Sequence, residues 1–469
     1  MTWVGAPLFE KARRTPDETG LVSGSLQLSW NQLALAVEQG ASRLADTTQP
    51  GDKVALFIGE PAELMMAMLA CARAARVAMI CDAGWPEKKR RAVIEGTNPT
   101  LVVEEQLRRD PGPSDLPVPK PDDPFYIGFT SGSTGVPKAF RRSHGSWLAS
   151  FAVSEGHFGL NASDRVLIPG GLTHSLHLYG AIQALHMGAA AIVSRLFLPA
   201  AILAQMTEEK ANVLYATPTQ LQLLSLAANR VGRPVPDIAQ ILVSGAKWHE
   251  ENRRAVANAF PNARLHEFYG TSETSFIAAH ETGDDCPAGS VGRALPGIDI
   301  EIRGDNGRIL PAGETGLIYV RSGQLFDGYE MGGDGETRWQ DGWLTVGDCG
   351  HVDEDGFLFL AGRRKRMFVS AGVNVFAEEI ETILESDPNV SAAAAFGFSD
   401  PLRGTRIVAA VKAEAPADAG TLRALCLRDL EPVKVPRRFH FVEDWPLTAG
   451  GKTDLQRLEQ MIRMREDAE

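Results

Sequence analysis

Nine consecutive residues, Thr130 to Lys138, read TSGSTGVPK and crowd hydroxyls, glycines and a cation into one short run. Thr130, Ser131, Ser133 and Thr134 supply hydroxyl donors, and Lys138 adds a mobile positive charge. Gly132 and Gly135 let backbone N–H groups approach an anion with no side chain in the way. Residues of these types at this spacing form a cradle for phosphate oxygens. A Walker A loop would need Lys and then Ser or Thr directly after the second glycine, at a helix start. Here Val136 and Pro137 come between Gly135 and Lys138, so that pattern fails. The bland alternative is a flexible surface loop.

Other residues could join such a cradle from a distance. Glu273 is the last acid of the run HEFYGTSET, His266 to Thr274, and Asp348 follows Gly347. Lys452 stands after Gly450 and Gly451 in PLTAGGKTD, Pro446 to Asp454, where paired glycines favour a mobile loop. Taken singly, each has an ordinary reading: a solvated carboxylate, a turn aspartate, an exposed lysine. The basic run Arg363 to Arg366 would, in isolation, be a solvated face.

The elements that must position these groups follow from periodicity. The cradle is preceded by an apolar strand beginning at Phe125. Lys53 to Ile58 and Val77 to Cys81 read as strands, with a Pro61-initiated apolar helix to about Ala75 between them. A basic helix, Glu87 to Glu95, comes next, and the proline-rich stretch Asp110 to Pro124 reads as a surface connection. Strands at Arg165 to Ile168, Ala190 to Val193 and Asn212 to Tyr215 alternate with helices Ala201 to Glu208 and Pro218 to Ala228, as a parallel sheet requires. From Ile298 the pattern shifts to period two with Asn306-Gly307 and Asp355-Gly356 turn signals, which predicts antiparallel hairpins. The last stretch mixes a helix, Ala377 to Glu385, with strands Ala392 to Gly397 and Ile407 to Lys412. The expected fold class is α/β: a large N-terminal α/β domain of stacked sheets and helices with a β-rich subdomain, residues 1–362, then a small mobile α+β C-terminal domain, residues 363–469.

Composition bounds the function classes. At 469 residues the chain outgrows a single core. A formal net charge of −12 argues against a nucleic-acid footprint. The five cysteines form no CxxC pair, so neither a disulfide framework nor a zinc site is expected, and a reducing cytoplasm fits. The apolar stretch Leu64 to Ile80 is interrupted by Arg73 and Arg76 and falls short of a membrane span.

The segment TSGSTGVPK resembles the phosphate loop of the acyl-adenylate-forming superfamily, which includes acyl-CoA synthetases, peptide synthetase adenylation domains and luciferases. HEFYGTSET resembles that family's aromatic–glycine–hydroxyl–glutamate motif. TVGDCGHVDEDGFLFLAGRRKRMFVSAGVNVFAEEIE, Thr345 to Glu381, resembles its long junction signature, and PLTAGGKTD its C-terminal lysine motif. With PLFEKARRTPDE near the start and KVPRRF from Lys434, the ordered motifs cover essentially the whole chain.

The resemblance implies roles. Glu273 would hold a magnesium ion bridging the nucleotide phosphates, with Ser272 at the α-phosphate and Tyr269 and Gly270 beside them. Asp348 would accept from both ribose hydroxyls, Arg363 would grip the nucleotide nearby, and Lys452 would reach carboxylate and α-phosphate during adenylation. Lys365 falls where the family places the hinge about which the small domain rotates between half-reactions, bringing the Gly372 loop to the thiol tunnel. GGLTHSLHLYG, Gly170 to Gly180, resembles the acyl-site segment, which selects His174, with His177 left as core packing. In SGAKWHE, Ser244 to Glu250, Gly245 and Ala246 would touch adenine and acyl group.

Departures from the family pattern are Lys247 and Trp248, Ser272 for threonine, Arg366 for aspartate, Val373 for glutamate and Ala377 for proline; none removes a group assigned to catalysis. Lys247 is read as solvated, with an acyl polar group as the alternative partner.

The implied activity is an ATP-dependent acid–thiol ligase using ATP, Mg2+ and coenzyme A. Arg437 in KVPRRF would meet the nucleotide end of coenzyme A. A carrier-protein phosphopantetheine is the alternative thiol, and a non-catalytic nucleotide or acyl binder the alternative class. The acid is a small-molecule carboxylic acid whose identity, like the choice between monomer and homodimer, is left open.

Overall fold

The computed structural model describes residues 2–105, 107, 116–130, 137–244, 250–333, 335–370, 373–400, 404–413, 418–447 and 453–468. Short apolar runs recur in its first half: KVAL, VAMI, RVLI, AAIV, VLYA and QILV. Each is a strand whose residues are almost all buried, the mark of parallel strands covered on both faces.

These strands fall into two sheets. The six-stranded one runs Gly328–Met331, Lys138–Ser143, Pro124–Thr130, Val77–Ile80, Lys53–Leu56, Leu101–Val103. The fifteen-stranded one has a parallel half built on Thr19–Ser23, Ala190–Val193, Arg165–Ile168, Val213–Ala216, Gln240–Val243 and Arg264–Thr271. Its other half is antiparallel and carries Ser275–Glu281, Ser290–Ala294, Phe357–Arg363, Asp348–Val352 and Gly316–Arg321.

Helix Pro61–Arg73 explains how the sheets hold together. Proline at its first turn starts it, and all but Glu63 and Arg73 are buried. An all-apolar helix must be covered all round. It touches Thr19–Ser23 of the large sheet and Lys53–Leu56, Val77–Ile80 and Pro124–Thr130 of the smaller one, with helix Trp30–Thr47 alongside. That second helix opens with a reciprocal cap between Ser29 and Gln32.

The C-terminal part is small and separately cored. After Arg363 a 3-10 turn, Arg364–Arg366, leads to the hairpin Met367–Ser370/Val373–Phe376 and helix Ala377–Leu384. A three-stranded sheet of Val390–Asp400, Gly404–Ala413 and Arg438–Phe441 follows. Strand alternation splits its faces. Ala395, Ile407, Ala409 and Val411 pack under helices Ala377–Leu384 and Ala419–Asp429. Ala394, Phe396, Val408 and Ala410 pack against Leu458 and Ile462 of helix Leu455–Ala468.

The mixed α/β architecture with a large first and small second domain is as expected, and element ends shift by a few residues. The N-terminal hairpin Thr19–Ser23/Leu26–Ser29, on the edge of the large sheet, was not anticipated. Lys138 begins strand Lys138–Ser143 and pairs with Thr130, so the backbone that carries the cation is held in a ladder. Among the described residues no helix is long and apolar enough to cross a membrane.

Candidate active site

The centre of the site is a tight reversal between strands Arg264–Thr271 and Ser275–Glu281. Thr271 and Thr274 exchange hydrogen bonds across it, each backbone N–H donating to the other's hydroxyl. Ser275 adopts a left-handed φ of 58°, and Gly270 is obligatory because a Cβ there would lie 1.9 Å from the Ser275 carbonyl. The turn thereby presents Ser272 and Glu273 side by side.

Glu273 is only 8% exposed, not the solvated carboxylate its type suggests. Tyr329 Oη donates to its Oε1 across 2.6 Å. The same tyrosine ring lies under Lys138, with Nζ 5.4 Å from the ring centroid, so one aromatic side chain joins the glutamate to the lysine at the end of the TSGSTGVPK run. Ser272 Oγ is 3.0 Å from Ser175 Oγ, which brings the first turn of helix Ser175–His186 to the reversal.

Upstream on the same strand, Tyr269 Oη donates to Asp348 Oδ2 at 2.6 Å. Burial, and next the Asp348 charge, push the phenol pKa well above its ordinary value, so it remains a donor. Arg363 Nε lies 3.1 Å from Asp348 Oδ1. The two residues face each other across the ladder between Asp348–Val352 and Phe357–Arg363, where register sets the pair. Asp348 is 7% exposed, whereas Arg363 opens to solvent.

His174 and His177 separate in character. His174 occupies the cap position of helix Ser175–His186 and is exposed, one residue from Ser175. His177 is buried at 3% exposure, with Nε2 3.0 Å from Gln220 Oε1. An amide oxygen only accepts, so Nε2 carries the hydrogen. Burial lowers its pKa to about 4. Gly170 makes room for this ring, since a Cβ there would fall 2.1 Å from it.

The structure thus brings together Thr130, Lys138, Tyr269, Gly270, Ser272, Glu273, Asp348 and Arg363, with His174 beside them through Ser175. Lys365 is exposed in the 3-10 turn two residues after Arg363. Arg437 is exposed, and its backbone N–H bonds the Ile407 carbonyl, which ties it to the C-terminal sheet and not to this cluster. Ser131, Gly132, Ser133, Thr134, Gly135, Gly245, Ala246, Lys247, Trp248, Gly372 and Lys452 lie outside the described residues.

Sequence reasoning missed Tyr329, Ser175 and Arg142. Arg142 had a legible signal: in a six-residue strand with adjacent Arg141 and Arg142, alternation turns one of them inward.

With this arrangement described, the kinship is clear. The family model for AMP-binding enzyme matches residues 8–116 and 104–330, and that for AMP-binding enzyme C-terminal domain matches residues 379–452. The chain belongs to the AMP-binding enzymes, in the acyl-adenylate-forming superfamily. Among curated proteins it is 34% identical to the uncharacterized acyl–CoA ligase YhfT of Bacillus subtilis (strain 168), over 96% of each chain. It is 27% identical to the 2-succinylbenzoate–CoA ligase of Bacillus licheniformis, over 95% of this chain and 97% of the relative. In fold it matches the o-succinylbenzoate CoA synthetase (MenE) of Bacillus subtilis, solved with an acyl-adenylate intermediate, at a TM-score of 0.87 and 23% identity over 98% of both chains.

Proposed function

We propose that this enzyme activates a carboxylic acid with ATP, releasing pyrophosphate, and then transfers the acyl group to the thiol of coenzyme A, releasing AMP. The observation that carries the reading is that one strand and its turn, Tyr269 to Glu273, gather Asp348 and Arg363 at one end and Tyr329 and Lys138 at the other. Coenzyme A as acceptor is supported by the names of the aligned relatives, which are acyl–CoA and 2-succinylbenzoate–CoA ligases.

The roles follow from charge. Asp348, acceptor-only when ionised, suits the two ribose hydroxyls, with Arg363 and Tyr269 fixing its orientation. Lys138, with Thr130, Ser131, Gly132, Ser133, Thr134 and Gly135, serves the nucleotide phosphates. Ser272 lies at the α-phosphate, with His174 at the junction of acyl group and phosphate. The carboxylate attacks the α-phosphorus, pyrophosphate departs, and Lys452 stabilises the charge that gathers there. Gly245 and Ala246 flank adenine and acyl group, while Gly372 and Arg437 serve the coenzyme A path.

Magnesium fits what is present. Among the described residues no three acidic, histidine or cysteine side chains form a metal nest, and one buried carboxylate, Glu273, stands by the proposed phosphate path. A magnesium ion is commonly held by one or two carboxylates together with substrate phosphates and water. Glu273 would hold it, and it would neutralise phosphate charge.

The domain boundary is taken at 362/363. Arg363 ends a strand of the large sheet, and Lys365 sits in the 3-10 turn before the C-terminal elements, which supports a hinge at that point. The protein is assigned to the cytoplasm. The test is pyrophosphate release with ATP and Mg2+ across acetate, octanoate, palmitate, benzoate, succinate and 2-succinylbenzoate, each with and without coenzyme A. Acid-dependent release followed by coenzyme A-dependent turnover is expected; no release with any of them would contradict the reading.

A further inference from the structure

Strand Lys138–Ser143 leaves the anion-cradle segment, and its fifth residue, Arg142, turns inward to 2% exposure. Its guanidinium makes four hydrogen bonds to protein. Nη1 donates to the Ser272 carbonyl at 2.9 Å. Nη2 donates to Ser275 Oγ at 2.8 Å and to the Gln324 carbonyl at 2.7 Å. Nε donates to Ser146 Oγ at 3.1 Å. The first two acceptors are the ends of the reversal that displays Ser272 and Glu273. The third belongs to a residue whose own Nε2 donates to the Phe276 carbonyl, on the strand leaving that reversal.

A buried charge needs this number of partners to be tolerated at all. Burial lowers its pKa to about 10, with Asp327 the main opposing influence, so at neutral pH it remains a cation. A structural arginine could be satisfied by any carbonyls. Two of these acceptors, Ser272 and the left-handed Ser275, stand at the two ends of a four-residue reversal, and the donor lies four residues from Lys138. A planar, forked donor fixes relative position in a way an ammonium does not.

We infer that Arg142 is a positioning residue for the first half-reaction: it locks the Ser272–Glu273 turn to the strand that begins with Lys138, so that the two phosphate-facing elements keep one spacing. The inference rests on the adenylation reading above. It also predicts a one-sided effect. Adenylation needs that spacing, while acyl transfer from a formed adenylate does not involve the outer phosphates.

The test compares the half-reactions in Arg142→Met, Arg142→Lys and Ser275→Ala, using ATP, Mg2+ and the best acid of the six named above. ATP–pyrophosphate exchange should lose roughly tenfold to a hundredfold in kcat for Arg142→Met, the scale of a 1 Å misplacement. The Mg2+ concentration for half-maximal exchange should rise. Thioester formation from chemically supplied acyl adenylate and coenzyme A should fall clearly less than exchange does, because the adenylate keeps the α-phosphate beside Ser272 but has lost the outer phosphates that Glu273 and Lys138 serve. Arg142→Lys should recover part of the loss. Ser275→Ala, which leaves no charge unpaired, should show a milder defect of the same kind and keeps the test decisive if Arg142→Met does not fold. Equal loss in both half-reactions, or normal exchange and Mg2+ dependence in Ser275→Ala, would overturn the inference. Absence of exchange in the unsubstituted protein would instead remove the adenylation reading itself.

Discussion

Tyr269 Oη and Asp348 Oδ2 meet at 2.6 Å although 79 residues separate them, and this bond ties the turn-bearing strand to the strand that carries the acid. Because Asp348 keeps its other oxygen on Arg363, the carboxylate is oriented from two sides. Tyr269→Phe removes one restraint without removing a charge. A hydrogen bond to a charged group contributes about 1.5–3 kcal/mol, so KM for ATP should rise on the order of tenfold. Steady-state kinetics at saturating acid checks this, and an unchanged KM would separate Asp348 from nucleotide binding.

Tyr329 acts on the opposite end. Its hydroxyl holds Glu273, and its ring backs Lys138. Tyr329→Phe keeps the ring and deletes the donor, so Lys138 should be undisturbed while Glu273 loses its restraint. The expected result is a several-fold higher Mg2+ requirement with KM for the acid unchanged. A shift in the acid KM alone would argue that Tyr329 belongs to the acyl site.

Acid stability should report the buried histidines. Burial lowers the pKa of His177 and His266 to about 4 and of His144 to about 3. The unfolded chain takes up protons near pH 6.5, and the folded chain resists until these lower values. Unfolding free energy therefore falls as pH drops from about 6.5, by up to about 1.4 kcal/mol per pH unit for each histidine, until about 4 for His177 and His266 and about 3 for His144. Urea denaturation at stepped pH measures the slope. His177→Asn should flatten it, and an identical slope in the variant would remove His177 from the account.

Lys365 is predicted to be the pivot. It lies in the 3-10 turn, and the adjacent Arg366 binds Glu378 and Glu381 of helix Ala377–Leu384. That contact anchors the residue after the pivot to the C-terminal part. Lys365→Pro restricts backbone rotation at the pivot and should reduce thioester formation far more than pyrophosphate exchange. Equal losses would place the moving joint elsewhere.

Much of this was readable from the chain, for physical reasons that differ by residue. Parallel strands are buried on both faces, so VAMI and AAIV announce themselves by composition. Tyr269, Gly270, Ser272 and Glu273 are contiguous, so a local motif exposes them together. Tyr329 reaches Glu273 across 56 positions and Arg142 reaches Ser272 across 130. Neither partner choice is encoded nearby; sheet register decides both. The cation of Lys138 was legible in the run itself, whereas the ladder that pairs its backbone with Thr130 was not. Residue type alone does not separate His174 from His177; the resemblance selected His174 and left His177 as core packing, and the structure buries His177 against Gln220 and leaves His174 exposed at the helix cap.

The central claim is that the acid's own carboxylate oxygen attacks the α-phosphorus. Carboxylate labelled with 18O, turned over with ATP, Mg2+ and coenzyme A, tests it by mass spectrometry of the products. AMP should carry one labelled oxygen and pyrophosphate none. Unlabelled AMP, or label in the pyrophosphate or in inorganic phosphate, would contradict it.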